Sequence, residues 1–299
     1  MGNQLIQVSI IIVNFNSTQL LIQCLESITK HTTCSYEIIV IDNNSTVDKP
    51  INLVEIYHNI HFIFNSDNLG FARANNQGIS VAKGDYFFIL NPDTYLKSDA
   101  IGAFLSFMEC KENVNVACCG ASLCLPDGKL QVAYGNFPTL KEAFSSLGFY
   151  RLYQAYYYKR LHSAIKASTK KTITVDYISG ADLFLRKAAL METGLFDEDF
   201  FLYFEETELC FRFKKHEYKC VLLPLVEIVH LEGGSQQLKS NYLLKYQFFA
   251  KGRSLFFRKC YGLISYKTMK VLWTVHYLMT YAIMRRKYAL QLAKITWKT

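Results

Sequence analysis

Four apolar runs recur within the first ninety residues, and the segments between them carry helical spacing. VSIIIV (8–13), the run inside YEIIVIDNNS, HFIFN and DYFFILNPD each have the length and composition of a buried strand. Between them, Ser17 to His31 places Leu21, Leu25 and Ile28 on one helical face, and Gly70 to Ala82 has helical spacing. Ser98 or Asp99 then caps a helix running to about Glu109. Continuous apolar strands alternating with helices predict an α/β fold with a mostly parallel sheet covered on both faces. Such sheets bind ligands at the carboxyl ends of their strands. Here those ends are Asn14-Phe15-Asn16, Asp42-Asn43-Asn44-Ser45 and Asn91-Pro92-Asp93. Any one alone is an ordinary turn, since Asn, Asp and Pro are turn formers. Three on one sheet edge predict a site.

Composition removes several classes. At 299 residues and 51% hydrophobic, the chain buries a large core and is not disordered. Its nine cysteines are odd in number and lack CxxC pairs or His/Cys ligand spacing. That predicts a reducing, cytoplasmic setting without a disulfide framework or zinc site. VSIIIV is too short for the core of a secretory signal.

Charge is unevenly placed. Residues 239–299 hold 13 Lys or Arg and no Asp or Glu, while the remainder has a net charge of −5. The basic segment is also aromatic and aliphatic, and Val271 to Met284 is a run of 14 residues without formal charge. A spanning helix needs about 20 apolar residues. The segment therefore predicts helices lying on an anionic membrane surface. The competing expectation is helices packed on the body or on a second copy in a homodimer. Nucleic acid fits the charge but not the aliphatic density, and no recognition motif is present.

Beyond Asn113 the alternation weakens. Ser122 to Tyr134 predicts a hairpin turning at Pro126-Asp127-Gly128, and 135–172 predicts an irregular basic-aromatic loop or lid. TVDYISGADLFLRK predicts a strand entering a turn at Gly180, followed by a helix ending near Gly194. YKCVLLP is a further strand, followed by VEIVHLEGGS. Between them, Glu205, Glu206 and Glu208 lie inside the aromatic run Phe200 to Arg212. Acids at a helix start complement its dipole. A carboxylate in aromatic surroundings also has a raised pKa, which suits a base.

VSIIIVNFNS, EIIVIDNNS, NLGFARANNQGI, GDYFFILNPDT, ISGADLFLRKAAL, GLFDEDFFLYFEETELCFR and VEIVHLEGGS occur in that order. Together they resemble a family 2 glycosyltransferase, most similar to the rhamnosyltransferase-like branch of bacterial surface polysaccharide synthesis. The resemblance covers roughly residues 5–238. It implies the A-type glycosyltransferase fold, a Rossmann-like nucleotide-binding sandwich, as a catalytic domain over 1–238. Residues 239–299 form its basic helical appendage. It also implies inverting transfer of a sugar, rhamnose as the best candidate, from a dTDP- or UDP-sugar with Mg²⁺ or Mn²⁺. The acceptor is a hydroxyl of a glycan or lipid-linked molecule at the inner face of the cell membrane.

By the same resemblance Asp42 accepts from the base ring N–H, and Asn14 and Phe15 line that pocket. The residue-level alternative for Asp42 is a turn carboxylate satisfied by neighbouring amides. Asn68, Gly70, Arg73 and Asn76 match the segment that closes over the nucleotide, Arg73 facing the diphosphate or a surface acid. Asp93 takes the place of the metal-binding acidic motif, whose other positions are Asn91 and Pro92. His230 is a second ligand or contacts the phosphates, and Gly233, Gly234 and Ser235 offer backbone N–H groups to phosphate. Glu206 stands where the family has the Asp that acts as general base, with Glu205 or Glu208 as alternatives. Two other classes stay open. A nucleotidylyltransferase uses similar strand-end acids, although NFNSTQ lacks its glycine-rich triphosphate loop. An inactive nucleotide- or membrane-binding scaffold accommodates Pro92 and the longer Glu206.

Overall fold

A computed structural model describes residues 6–155, 171–231 and 241–299. Strands β1 (Val8–Asn14), β2 (Tyr36–Asp42), β3 (Ile60–Phe64) and β4 (Tyr86–Leu90) form one half of a nine-stranded sheet. They lie in the order β3-β2-β1-β4, all parallel, with Asn14 opposite Asp42 in the β1–β2 register. Helices α1 (Thr18–His31), α2 (Leu53–Ile56), α3 (Phe71–Val81) and α4 (Ala100–Glu109) follow in chain order. Leu21, Leu25 and Ile28 of α1 are wholly buried, as their spacing requires. Asp99 caps α4 by accepting from the Gly102 N–H at 2.8 Å. Gly70, at φ 82°, stands before α3 where an added Cβ would meet the Phe201 carbonyl oxygen at 2.5 Å.

The second half of the sheet mixes directions. β5 (Thr94–Leu96), β6 (Val116–Cys124), β10 (Asp182–Arg186) and β11 (Lys219–His230) extend the order as β4-β10-β6-β11-β5. β10 is antiparallel to both β4 and β6, while β6 and β11 are parallel. β8 (Ile173–Val175) pairs antiparallel with β11, and β7 (Tyr134–Gly135) pairs with β9 (Tyr177–Ile178) in a separate ribbon. The turn at Pro126-Asp127-Gly128 forms, with the Gly128 N–H donating to the Leu125 carbonyl. The expected hairpin is reduced to one bridge, Cys124 to Leu130, because β7 leaves for β9. The segment expected to be irregular contains α5 (Leu140–Ser146) and a 3₁₀ turn at Phe149–Tyr153; residues 156–170 lie outside the described residues. YKCVLLP and VEIVH form one strand with an irregular register between Leu223 and Glu227, around Pro224. Pro has no N–H to give the ladder.

Helices α6 (Lys187–Thr193) and α7 (Glu205–Lys215) complete the described part of the body. The C-terminal region forms α8 (Tyr242–Phe256), a π turn at Phe257–Tyr261, α9 (Gly262–Met284) and α10 (Lys287–Lys298). These helices do not stand apart. Phe256, Phe257 and Met269 are buried in the same apolar cluster as β1, β2 and β4. No helix among the described residues is long and apolar enough to cross a membrane.

Candidate active site

β1, β2 and β4 end on the same edge of the sheet, and a cavity of about 670 Å³ opens there. Val13, Phe15, Asn43, Asn68, Asn91, Pro92, Asp93 and His230 line it, with Glu205 and Glu206 from the start of α7. The Asn91 N–H donates to Ala181 at 3.0 Å, which brings the loop Ser179-Gly180-Ala181 to the cavity wall.

Asp93 and His230 meet because β11 pairs with β5. His230 is opposite Thr94, and the Leu231 N–H donates to the Asp93 carbonyl. His230 Nε2 lies 3.4 Å from Asp93 Oδ1, and both side chains face the cavity. One carboxylate and one imidazole side by side on the cavity wall fit a divalent cation completed by substrate oxygens. Gly233, Gly234 and Ser235 lie outside the described residues.

The acidic cluster divides by partner. Glu208 is engaged: Arg212 Nε donates to both its oxygens at 2.9 and 3.0 Å. The same guanidinium donates to the carbonyls of Thr193, Gly194 and Leu195, so this pair ties α7 to the end of α6. Glu208 is thus a structural residue. Glu205 and Glu206 each keep an oxygen without a hydrogen-bond partner. Burial pushes the Glu206 carboxyl up to about 7. Burial, with the Glu206 charge beside it, raises Glu205 well above the usual range.

The turn that presents these acids is strained. Tyr203 and Phe204, just before α7, have φ of 70° and 74°. Residues other than Gly, Asn and Asp rarely adopt that region, and two in succession are held only by their surroundings. On one side the Phe71 N–H donates to the Phe201 carbonyl at 2.8 Å. On the other side α8 packs its aromatic face against the turn. Phe248 stacks on Phe201 with centroids 5.2 Å apart, and Phe249 lies 5.1 Å from Phe204. Leu244, Lys245 and Phe248 of α8 line the cavity directly.

Four other sequence candidates do not line the cavity, and of these Asp42 and Arg73 take the alternatives their residue types offered, a satisfied turn carboxylate and a surface ion pair. Asp42 is buried, and its carboxylate accepts from Asn14 Nδ2, Ser45 Oγ and the Ser45 N–H. Asp42 and Asn14 therefore brace the turn, and neither lines the cavity. Their neighbour Asn43 does, binding Asn68 Oδ1 and accepting from Asn65 and the Leu69 N–H. Arg73 is turned outward, 3.5 Å from Glu198. Asn76 is committed to the Phe196 backbone through both ends of its amide. Phe15, Asn68 and Gly70 line the cavity as expected from their positions.

The cysteines are less scattered than their spacing indicates. The ligating atoms of Cys118, Cys210 and Cys220 lie within 4.8 Å of one another. This buried trio, a candidate metal-binding cluster, joins β6, β11 and α7, and none of the three lines the cavity. Large sequence separations hid it.

Residues 9–189 match Glycosyl transferase family 2, and the chain belongs to that family. At family level its function is inverting transfer of a sugar from a nucleoside diphosphate sugar to an acceptor. It is 23% identical over 273 residues to the low-salt glycan biosynthesis hexosyltransferase Agl10 of Haloferax volcanii, covering 88% of this chain and 81% of that one. It is 25% identical over 215 residues to the N-acetylglucosaminyl-diphospho-decaprenol L-rhamnosyltransferase of Mycobacterium tuberculosis, covering 66% and 67% of the two chains. The fold resembles mannosyltransferase PcManGT from Pyrobaculum calidifontis, solved with GDP-Man and Mn²⁺. The TM-score is 0.57 at 14% identity, covering 98% of this chain and 74% of that one. It also resembles GalNAc-T7, solved with UDP, GalNAc and Mn²⁺, at TM-score 0.56 and 17% identity, covering 83% of this chain and 51% of that one. Relatives bearing different sugars do not single out the rhamnosyltransferase branch.

Proposed function

We propose that this chain moves a sugar, rhamnose as the best candidate, from a dTDP- or UDP-sugar to a hydroxyl of a glycan or lipid-linked acceptor in surface polysaccharide synthesis. The observation that carries this reading is one cavity lined both by the adjacent Asp93 and His230 and by a raised-pKa carboxyl, Glu206. The rhamnosyl relative supports the sugar and the lipid-linked acceptor. In this reading Phe15, Asn43 and Asn68 receive the nucleoside, and Asn14 and Asp42 hold the turn that presents Asn43. Glu206 takes the proton from the acceptor hydroxyl, whose oxygen then bonds to the anomeric carbon. The bond from that carbon to the diphosphate breaks on the opposite face, which inverts the centre. A divalent cation, Mg²⁺ or Mn²⁺, at Asp93 and His230 supplies charge neutralisation for the leaving diphosphate, an effect of several kcal/mol.

Incubating donor sugar nucleotide with metal and acceptor tests the class. Released nucleoside diphosphate supports transfer, pyrophosphate from sugar phosphate and nucleoside triphosphate supports nucleotidyl transfer, and no turnover leaves a scaffold. Asp93→Ala is expected to abolish the metal dependence of nucleoside diphosphate binding in calorimetry while sparing nucleoside binding. Unchanged metal dependence places the cation elsewhere.

The C-terminal helices extend the proposal to the inner membrane surface. Ile264, Val271, Val275, Leu278 and Met279 of α9 are exposed and fall on one helical face. Lys267, Arg285, Arg286 and Lys287 are exposed on α9 or just beyond it. An apolar stripe beside exposed cations suits an anionic lipid interface. Wild-type protein is expected to cosediment with phosphatidylglycerol vesicles, with partial release at 1 M salt, where the Debye length is about 3 Å. The double variant Val271→Asp, Leu278→Asp is expected to stay in the supernatant. Equal pelleting of the two rejects the role and leaves the stripe to a homodimer, which sedimentation equilibrium reads.

A further inference from the structure

Carboxyl groups outnumber Lys and Arg on the cavity wall. Asp93, Glu205 and Glu206 line it, and among the described residues Lys245 is the one Lys or Arg that does. Arg73, which the sequence offers for the diphosphate, is spent on Glu198. A leaving diphosphate brings further negative charge into the same space, and one divalent cation offsets only part of the sum. Lys245 sits in the first turns of α8, one turn before Phe248. Phe248 stacks on Phe201 and so fixes that helical face against the cavity. The Lys245 side chain is exposed, and no described acid is paired with it. An ammonium on a flexible stem, with three donors, suits phosphate oxygens whose position shifts during a reaction.

We propose that Lys245 is a phosphate-binding residue of this site, supplied by the C-terminal helical region and not by the strand ends. The inference rests on the glycosyltransferase reading. Its partner is a phosphate of the donor's diphosphate or of a diphosphate-linked acceptor. Calorimetry on the full chain separates these, using UDP, dTDP, the two nucleosides and inorganic pyrophosphate, each with Mn²⁺. Lys245→Ala is expected to weaken nucleoside diphosphate binding about tenfold, the scale of one hydrogen bond to a charged group. Nucleoside binding should stay unchanged, and Lys245→Arg should keep most of the affinity. If diphosphate binding is unchanged and KM for a diphosphate-linked acceptor rises about tenfold, the acceptor's phosphate is the partner. If both are unchanged, or if nucleoside binding falls equally, Lys245 binds no phosphate here. Should wild type bind neither UDP nor dTDP, the dTDP- or UDP-sugar donor reading fails by itself. Lys245 is then judged by pyrophosphate alone, and equal pyrophosphate affinity in wild type and Lys245→Ala overturns the proposal.

Discussion

Glu206→Gln is expected to lower turnover at least about 10²-fold while nucleotide affinity stays intact, the usual scale for loss of a general base. The amide keeps the shape and loses the proton acceptor. Choosing between Glu205 and Glu206 depends on which is ionised. Glu205 is the more buried and has its neighbour's charge against it, so its carboxyl is raised well above the usual range. We assign the accepting role to Glu206, whose carboxyl burial pushes up to about 7. Two carboxyls driven apart in pKa take separate roles.

The pH dependence follows with a definite sign. A base acts when ionised, so wild-type turnover is expected to rise through about pH 7 and not near the ordinary value of 4.5. Between those values the folded chain keeps a proton that the unfolded chain has released. Stability from this group is therefore present at low pH and lost as pH rises through 7. Glu206→Gln should accordingly melt higher than wild type at pH 8 while turning over poorly. A variant both inactive and less stable at pH 8 reports a disturbed fold, and wild-type-like turnover rejects Glu206 as the base.

Much of the parallel half was legible because each of its strands completes its own apolar run before a polar tip. β10 was not, since DLFLR is equally apolar in either direction and only its antiparallel pairing puts it between β4 and β6. The meeting of Asp93 with His230 depends on β11 pairing with β5, a long-range contact with no local signature. Residue type marked Asp42 as important, but not which way it points. Ser45 and Asn14 claim its oxygens and leave Asn43 at the cavity. The same limit applies to the acids: three glutamates within four positions look alike until Arg212 takes Glu208. Leu244, Lys245 and Phe248 escaped because basic-aromatic composition fits a lipid surface and a packed helix equally well.

Removing residues 239–299 is expected to cost the fold itself and not merely a surface attachment. Phe256, Phe257 and Met269 are at most 1% exposed and belong to the main core. Burial of such a side chain stabilises by about 1.5–3 kcal/mol, against a total of about 5–15 kcal/mol for a domain. The 1–238 fragment should therefore be insoluble or lack a cooperative melt. A point substitution isolates the link to chemistry. Gly252, inside α8, lies where an added Cβ would meet the Tyr203 carbonyl oxygen at 2.4 Å and Phe204 Cδ2 at 3.0 Å. Helix propensity alone favours Gly→Ala by about 0.5–1 kcal/mol. Overpacking against a backbone oxygen costs about 1–3 kcal/mol, so the clash wins. Gly252→Ala should lower the melting temperature and reduce kcat, because α8 must lift away from the strained turn that presents Glu205 and Glu206. Nucleoside affinity, which we assign to Phe15 and Asn43, should hold. Should Gly252→Ala melt higher and turn over normally, α8 does not hold that turn, and the strain at Tyr203 and Phe204 is borne by the body alone.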